Sequence, residues 1–450
     1  MPSDPQSPAK LPRRAFAIIF CVSLATALGN TGMISVLPAI GRSIGIPDPL
    51  VVAVFSLSAL LWAGSSPFWA TASDRFGRKP LMIVGLTGFM VSMIGCGIVV
   101  TAGLHHWASP INLMGYTISG PIIIFVFFLF ARASFGLFGA ASNPATQAYV
   151  AERTSRADRT QSMASLAGAF GLGTVVGPFI APLFVLPGIG LAGPMFGFAL
   201  IAAVMLFVVV RFLPEGNAPP PDPLEEEPPP PPAGEKLKPM WRDPRLTPFL
   251  IYGFLVATCQ TGQGQTLGFL IIDKLKLDPI QAQGFIAVAM MFGAVAGLLA
   301  QWGVIRMFQM GPRALLRWGV AVAALGNFLT AVSPNYWTVV VGYAVASLGF
   351  GLARPGFTAG SSLAVHMHEQ ARAAGAIAAV NGVNVVLAPL FVMLYERVAP
   401  APFYLNMAVL LGLLLYAYRN PRLRDADPAP APREETIRAT LERRDEGPSI

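Results

Sequence analysis

The sequence predicts an all-α membrane protein with twelve transmembrane helices in two pseudo-symmetric six-helix bundles. Three observations lead there. The 450 residues are 54% apolar and only 12% charged, where a soluble domain carries about 25% charged residues. Apolar runs of the roughly 20 residues that a bilayer crossing needs recur along the chain. The charges between those runs alternate, as they do in a chain that passes back and forth through lipid.

A tail at 1–14 ends in Arg13 and Arg14. The apolar run behind it continues to Leu37 with no small-residue cleavage site, so it reads as a retained first span at roughly 15–38. Spans two to six follow at roughly 50–72, 80–102, 120–146, 163–186 and 190–213, and complete a first bundle at 15–213. Residues 214–246 contain "PEGNAPPPDPLEEEPPPPPAGEKLKP". Proline fixes φ and removes a donor, so this stretch reads as a semi-rigid, solvated linker. Spans seven to twelve, at roughly 247–272, 282–305, 313–333, 337–360, 373–395 and 401–419, make a second bundle at 247–419. The tail at 420–450 is rich in Pro and Ala, then charged.

Of the 31 Lys and Arg, 25 fall on the side that holds both termini. Arg42, Lys274, Lys276 and Arg397 fall opposite, and Arg132 and Arg354 lie inside spans. That bias places both termini in the cytoplasm and accounts for the net charge of +8. No basic segment is interleaved with stacking aromatics, so nucleic acid is set aside as a partner. Cys21, Cys96 and Cys259 sit in apolar spans and suggest neither disulfide nor metal site. His105/His106 and His366/His368 read as solvated loop pairs without a third ligand. No Gly-rich loop ends in Gly-Lys-Ser/Thr, so nucleotide does not supply the energy. No cofactor, metal or enzymatic activity is expected.

The two bundles carry a faint internal repeat. "GRKPLMIVG" from Gly77 resembles "GPRALLRWG" from Gly311, and Ser134, Gly136 and Arg159 match Ser347, Gly349 and Arg372 at constant spacing. Repeats of this kind mark transporter folds, with the substrate site between the halves near the midplane.

Three motifs sharpen the reading. "SDRFGRKP" between spans two and three carries Asp74, Arg75, Gly77, Arg78 and Lys79. It resembles the loop signature of the major facilitator superfamily, with Ala70 where that signature begins with Gly. The resemblance implies a cytoplasmic gate that latches the two halves. The carboxylate at a helix end can pair with arginine, and Gly77 permits the tight turn. "FARASFGLFGAA" in span four resembles the family's fourth-helix motif. Arg132 and Gly136 match it, and Phe135 replaces the usual Gln. "GLGTVVGPFIAP" in span five resembles the motif of the antiporter branches through Gly173, Gly177 and Pro178, although Ala181-Pro182 replace its closing Gly-Gly. Together these look like the twelve-helix tetracycline and multidrug efflux group.

Polar groups within lipid-facing lengths mark interior faces. Arg132, near the middle of its span, is expected to face the bundle interior. Gln260 and Gln263 share a helical face in span seven. With Asn30 and Thr31 in span one, Phe135, and Asn381 and Asn384 in span eleven, they outline a substrate path of amides in an apolar cavity. Interhelical hydrogen bonding is the competing role for each amide. The resemblance implies proton exchange, yet span one has no Asp or Glu and span four has none before Glu152. Arginine does not release its proton, which leaves Asp273 and Glu152 as possible proton sites. The expected function is export of drug-like or amphipathic small molecules in exchange for protons, by a monomer in a bacterial inner membrane. Import or facilitated movement of a small metabolite, and a receptor or scaffold that transports nothing, remain as alternatives.

Overall fold

The computed structural model describes residues 12–113, 116–154, 156–214, 240–365 and 369–424. Most of the expected tails, most of the Pro-rich segment and the His366/His368 pair lie outside the described residues.

The first half contains α1 (Arg13–Ile44), α2 (Asp48–Phe76), α3 (Arg78–Leu104), α4 (Gly120–Phe138), α5 (Ser142–Glu152), α6 (Arg156–Ile180) and α7 (Gly193–Phe212). The second contains α8 (Thr247–Leu275), α9 (Pro279–Leu299), α10 (Ile305–Met307), α11 (Pro312–Ala331), α12 (Tyr336–Leu363), α13 (Gln370–Val383), α14 (Ala388–Arg397), α15 (Ala401–Arg419) and α16 (Pro421–Arg424). Among the described residues, ten helical stretches are long and apolar enough to cross a membrane. The remaining two crossings are α8, whose run of Thr and Gln makes it polar, and the broken pair α13–α14.

Local sequence explains the turns. Gly45 closes α1 in the left-handed region at φ 84°, and Gly77 at φ 94° is the single residue between α2 and α3. Both angles are ones that only glycine adopts without strain. The Asp278 side chain accepts a hydrogen bond from the Ile280 amide and caps α9. Asn335 and Thr338 form a reciprocal capping box at α12.

Four features differ from the sequence reading. A two-stranded antiparallel hairpin, β1 (Ile111–Leu113) with β2 (Tyr116–Ile118), stands where only a loop was expected. Its alternating "INL…YTI" is too short to register as a strand signal. Span eleven is interrupted by a 3-10 segment, Asn384–Leu387, just ahead of Pro389. Proline has no donor to continue the ladder. Span eight passes through a π-helical turn at Ala300–Val304 before α10. The second half also begins before 247 and ends after 419, because Met240, Leu246 and Leu423 are buried in its core.

Contacts between the halves run along a seam where α1, α2 and α6 meet α8, α9, α13 and α14. The seam is closed at one end only. In α2, Val51 to Ser58 are mostly buried, whereas no residue from Ala59 to Thr71 is. In α8, every residue from Gly262 to Ile272 except Gly264 is buried. The closed end lies opposite the termini. Elsewhere large apolar side chains such as Phe130, Leu200, Phe207 and Trp302 point outward, as helices surrounded by lipid require.

Candidate functional site

Arg132 is the largest fully buried side chain of the described residues. It projects from the middle of α4 into the first half. Nη2 donates to the Asn30 Oδ1 of α1. Its guanidinium lies 4.7 Å from the Phe55 ring centre and 4.4 Å from that of Phe135. Nε and Nη1 have no hydrogen-bond partner. Among the described residues no carboxylate pairs with it. An arginine at mid-helix costs about 2.5–3.5 kcal/mol to insert. A hydrogen bond to a charged group returns about 1.5–3 kcal/mol, and a ring face adds about 0.5–2 kcal/mol. Among the described residues the side chain is therefore held without a counter-ion, with two of its three nitrogens unbonded. Phe135 also packs on Trp62 at 5.2 Å and on Phe89 at 5.3 Å, so the cation sits in an aromatic cluster.

The other predicted positions separate into groups. Thr31 donates to the Ala27 carbonyl at 2.8 Å and to the Gly173 carbonyl at 3.3 Å, which ties α1 to α6. Gly173 and Gly177 form the matching surface. A Cβ at Gly177 would lie 2.4 Å from the Leu28 carbonyl oxygen, and one at Gly173 2.6 Å from the Ala27 Cβ. These glycines let two backbones touch, as small residues do between membrane helices. Pro178 lies inside α6, two residues before the helix gives way to the 3-10 segment Ala181–Phe184.

In the second half, Gln263 is buried with an unbonded Nε2, whereas Gln260 is half-buried. Asn384 is buried in the break of span eleven and accepts from Thr261 of α8 at 3.2 Å. The side chains of Asn381 and Asp74 lie outside the described residues. Gln283 of α9, which sequence reasoning missed, is buried with both amide atoms unbonded. A lone Gln next to the start of a span gave no periodic signal.

In the turn between α2 and α3, Arg78 donates to Glu152 of α5 and, at 2.9 Å, to Ser73. Glu152 also lies 3.5 Å from Arg153. These bonds stay within the first half. Arg75 is exposed, with its guanidinium 5.6 Å from the Phe76 ring centre, and Lys79 is half-buried.

At the closed end of the seam, Arg42 of α1 holds two carboxylates. It donates to Asp48 from Nε and Nη2, the latter at 2.6 Å, and to Asp273 of α8 from Nη1 at 2.8 Å. The Tyr395 hydroxyl of α14 donates to Asp273 at 2.6 Å. Together with Glu396 these side chains line a cavity of about 450 Å³. Deeper in, the Ser56 hydroxyl of α2 donates to the Val385 carbonyl at 2.9 Å. Of this network only Asp273 was anticipated. Arg42 carried a usable signal, because it is the one first-half arginine on the side that the charge bias leaves nearly empty.

A polytopic helical protein with a seam closed at one end, and with charged and amide side chains turned inward, is built as a membrane transporter. The Major Facilitator Superfamily model matches residues 19–389, and the chain belongs to that family. It is 24% identical over 353 residues to "Multidrug resistance protein 2" of Bacillus subtilis, covering 76% of this chain and 79% of the relative. It is 24% identical over 435 residues to the class C tetracycline resistance protein of Escherichia coli, covering 91% and 96%. Among solved structures, an inward-facing, unoccupied bacterial homolog of the human lysosomal transporter Spinster aligns with a TM-score of 0.68 at 13% identity, over 93% of this chain and 99% of that one. A peptide transporter, POT, in complex with sulfate aligns with a TM-score of 0.68 at 14% identity, over 94% and 98%. These structural likenesses show the fold. The chain is a multi-pass membrane transporter and not an enzyme.

Proposed function

We propose that this transporter exports drug-like, amphipathic small molecules in exchange for protons, as a monomer in a bacterial inner membrane with both termini cytoplasmic. The observation that carries the reading is the Arg132 guanidinium, buried among Phe55, Phe135 and Asn30 with two nitrogens unbonded. Unused charged donors in a dry interior are costly unless a ligand or a second conformation employs them. The aromatic faces around the cation suit an apolar body, and Asn30, Gln263 and Gln283 supply hydrogen bonds. Multidrug and tetracycline resistance proteins among the relatives support export.

With the termini in the cytoplasm, the closed end faces outward and the splayed end faces the substrate supply. Asp273 and Glu152 are the proposed proton sites. Protonating Asp273 would cancel the charge that Arg42 holds across the seam and release that end. Among the described residues no acid lies beside Arg132, and this favours a second reading, in which substrate moves without a coupled proton.

Transport of a fluorescent amphipathic cation into inverted vesicles separates the two. Loss of transport when the pH gradient is collapsed is expected, and undiminished transport would reject proton coupling. Arg132→Ala should lower the transport rate about 10- to 100-fold, the equivalent of one charge-assisted hydrogen bond. Unchanged transport by that variant would remove Arg132 from the path.

A further inference from the structure

Two arginines lie inside the spans, Arg132 of α4 and Arg354 of α12. Unlike Arg132, Arg354 is exposed. Hydrocarbon does not accept an exposed guanidinium, so the group must reach water. Trp337 and Val341, 61% and 56% exposed, mark the face of α12 that is turned to lipid. Arg354 lies about a quarter-turn away from that face. Ser347, about two turns before Arg354 on the same face, lies against Gly293 of α9, and Phe357, about one turn after it, lies against Gly253 of α8. Arg354 therefore faces the gap between α8 and α9, on the part of α12 that descends to the open end of the seam.

Arg132 occupies the corresponding gap of the first half, between Asn30 of α1 and Phe55 of α2. The constant spacing of Ser134 and Gly136 with Ser347 and Gly349 pairs Arg132 with Val345, so Arg354 stands nine residues, or about 13 Å of helix rise, nearer the terminus end. The two cations are thus staggered, with Arg354 nearer the mouth and Arg132 deeper. Phe135 links them to the opening, because it packs on both Arg132 and Trp62, and Trp62 belongs to the stretch of α2 in which no residue is buried. The charge of Arg132 needs a reason. A neutral amide would make the single bond to Asn30 without the insertion cost of a cation. Instead Nε and Nη1 stay buried and unbonded.

We propose that the exported molecule is an amphipathic anion. Its acidic group meets Arg354 at the open end and then Arg132, while its apolar body lies on Phe135 and Trp62. This names the substrate class of the export path proposed above and rests on that reading. Low-dielectric walls focus the field of fixed cations and raise the local concentration of anions. Arginine holds a carboxylate through two parallel hydrogen bonds. A cation with the same apolar body is carried more weakly, through its aromatic contacts alone.

Two probes with one apolar body test the proposal: a dansyl group on a butyl chain that ends in a carboxylate, and the same molecule ending in trimethylammonium. Fluorescence anisotropy with the purified full chain should give the acid about a tenfold lower Kd, the equivalent of one charge-assisted hydrogen bond. R354Q should lose most of that preference, R354K should keep it and R354E should reverse it. Equal binding of the two probes by the wild type would overturn the proposal, as would an undiminished preference in R354Q. Displacement of the acid by equimolar inorganic phosphate would overturn the amphipathic assignment. Uptake into inverted vesicles, with the membrane potential held at zero, tests export separately. Preferred binding of the acid with uptake of neither probe would reject export and leave the ligand class standing. Uptake of both with equal half-saturation would overturn the anion assignment and leave export standing.

Discussion

The two ends of the bundle use ion pairs differently. At the end opposite the termini, Arg42 reaches from α1 to Asp273 of α8, and Tyr395 of α14 fastens the same carboxylate. There the charges join one half to the other. At the end that holds the termini, Arg78 bonds to Glu152 within the first half, and Arg245 bonds to Asp243 and Glu369 within the second. Among the described residues, these three pairs each stay within one half. The chemistry is the same arginine–carboxylate pair, so its address decides what it controls. A pair across the seam sets the balance between conformations. A pair within a half sets the stability of that half.

The sharpest test removes the cross-seam charge. Asp273→Asn should shift the population of the state closed at this end about fivefold toward opening. This corresponds to about 1 kcal/mol for a pair that remains partly exposed. Spin-label distances across the terminus end, measured by double electron–electron resonance, report the shift. An unchanged distribution would show that the pair is ornamental. Tyr395→Phe deletes one hydrogen bond and leaves the charges, so it should move the same distribution about twofold. Glu152→Gln tests the opposite end. It should lower thermal stability by about 1 kcal/mol or less, and it leaves the conformational balance where it was if Asp273 alone is the coupling site. A shift as large as that of Asp273→Asn would merge the two classes of pair.

The smallest effect is a pH dependence in the second half. The Arg245 guanidinium holds the Asp243 carboxyl below the usual carboxylate range. A depressed folded-state pKa contributes stability above the unfolded value of about 3.9, and this contribution is lost as pH falls through the lower folded value. The stability difference between wild type and Asp243→Asn should therefore be flat from about pH 5 to pH 8, should shrink as pH falls below about 4, and should vanish only below the depressed folded value. A difference that grew on acidification would have the wrong sign.

The sequence was most legible where lipid dictated the answer. Apolar runs, alternating charge and the Pro-rich segment gave the helical passes, because hydrocarbon tolerates few alternatives. The mid-span arginine announced its burial for the same reason. Departures came where tertiary contacts outvoted local pattern. Met240 and Leu423 look like linker and tail but fill the second core. Asp48 looks like a loop acid at a helix start, yet it shares Arg42 with a residue 231 positions from that arginine. Thr31 looked like part of the path, and its hydroxyl is engaged with the backbone of α6. No periodicity within one helix encodes such partners.

The break at Asn384–Leu387 gives span eleven two mechanical sections. The section beyond it, α14, carries Tyr395 into the closed cluster. The section before it, α13, has open space around Gly375 and Gly382. A 3-10 turn has weaker internal bonding than the helices it joins, so it is the compliant point. A span whose compliant point is at Asn384 would bend there first, so that a movement of α13 need not carry Tyr395 out of the closed cluster.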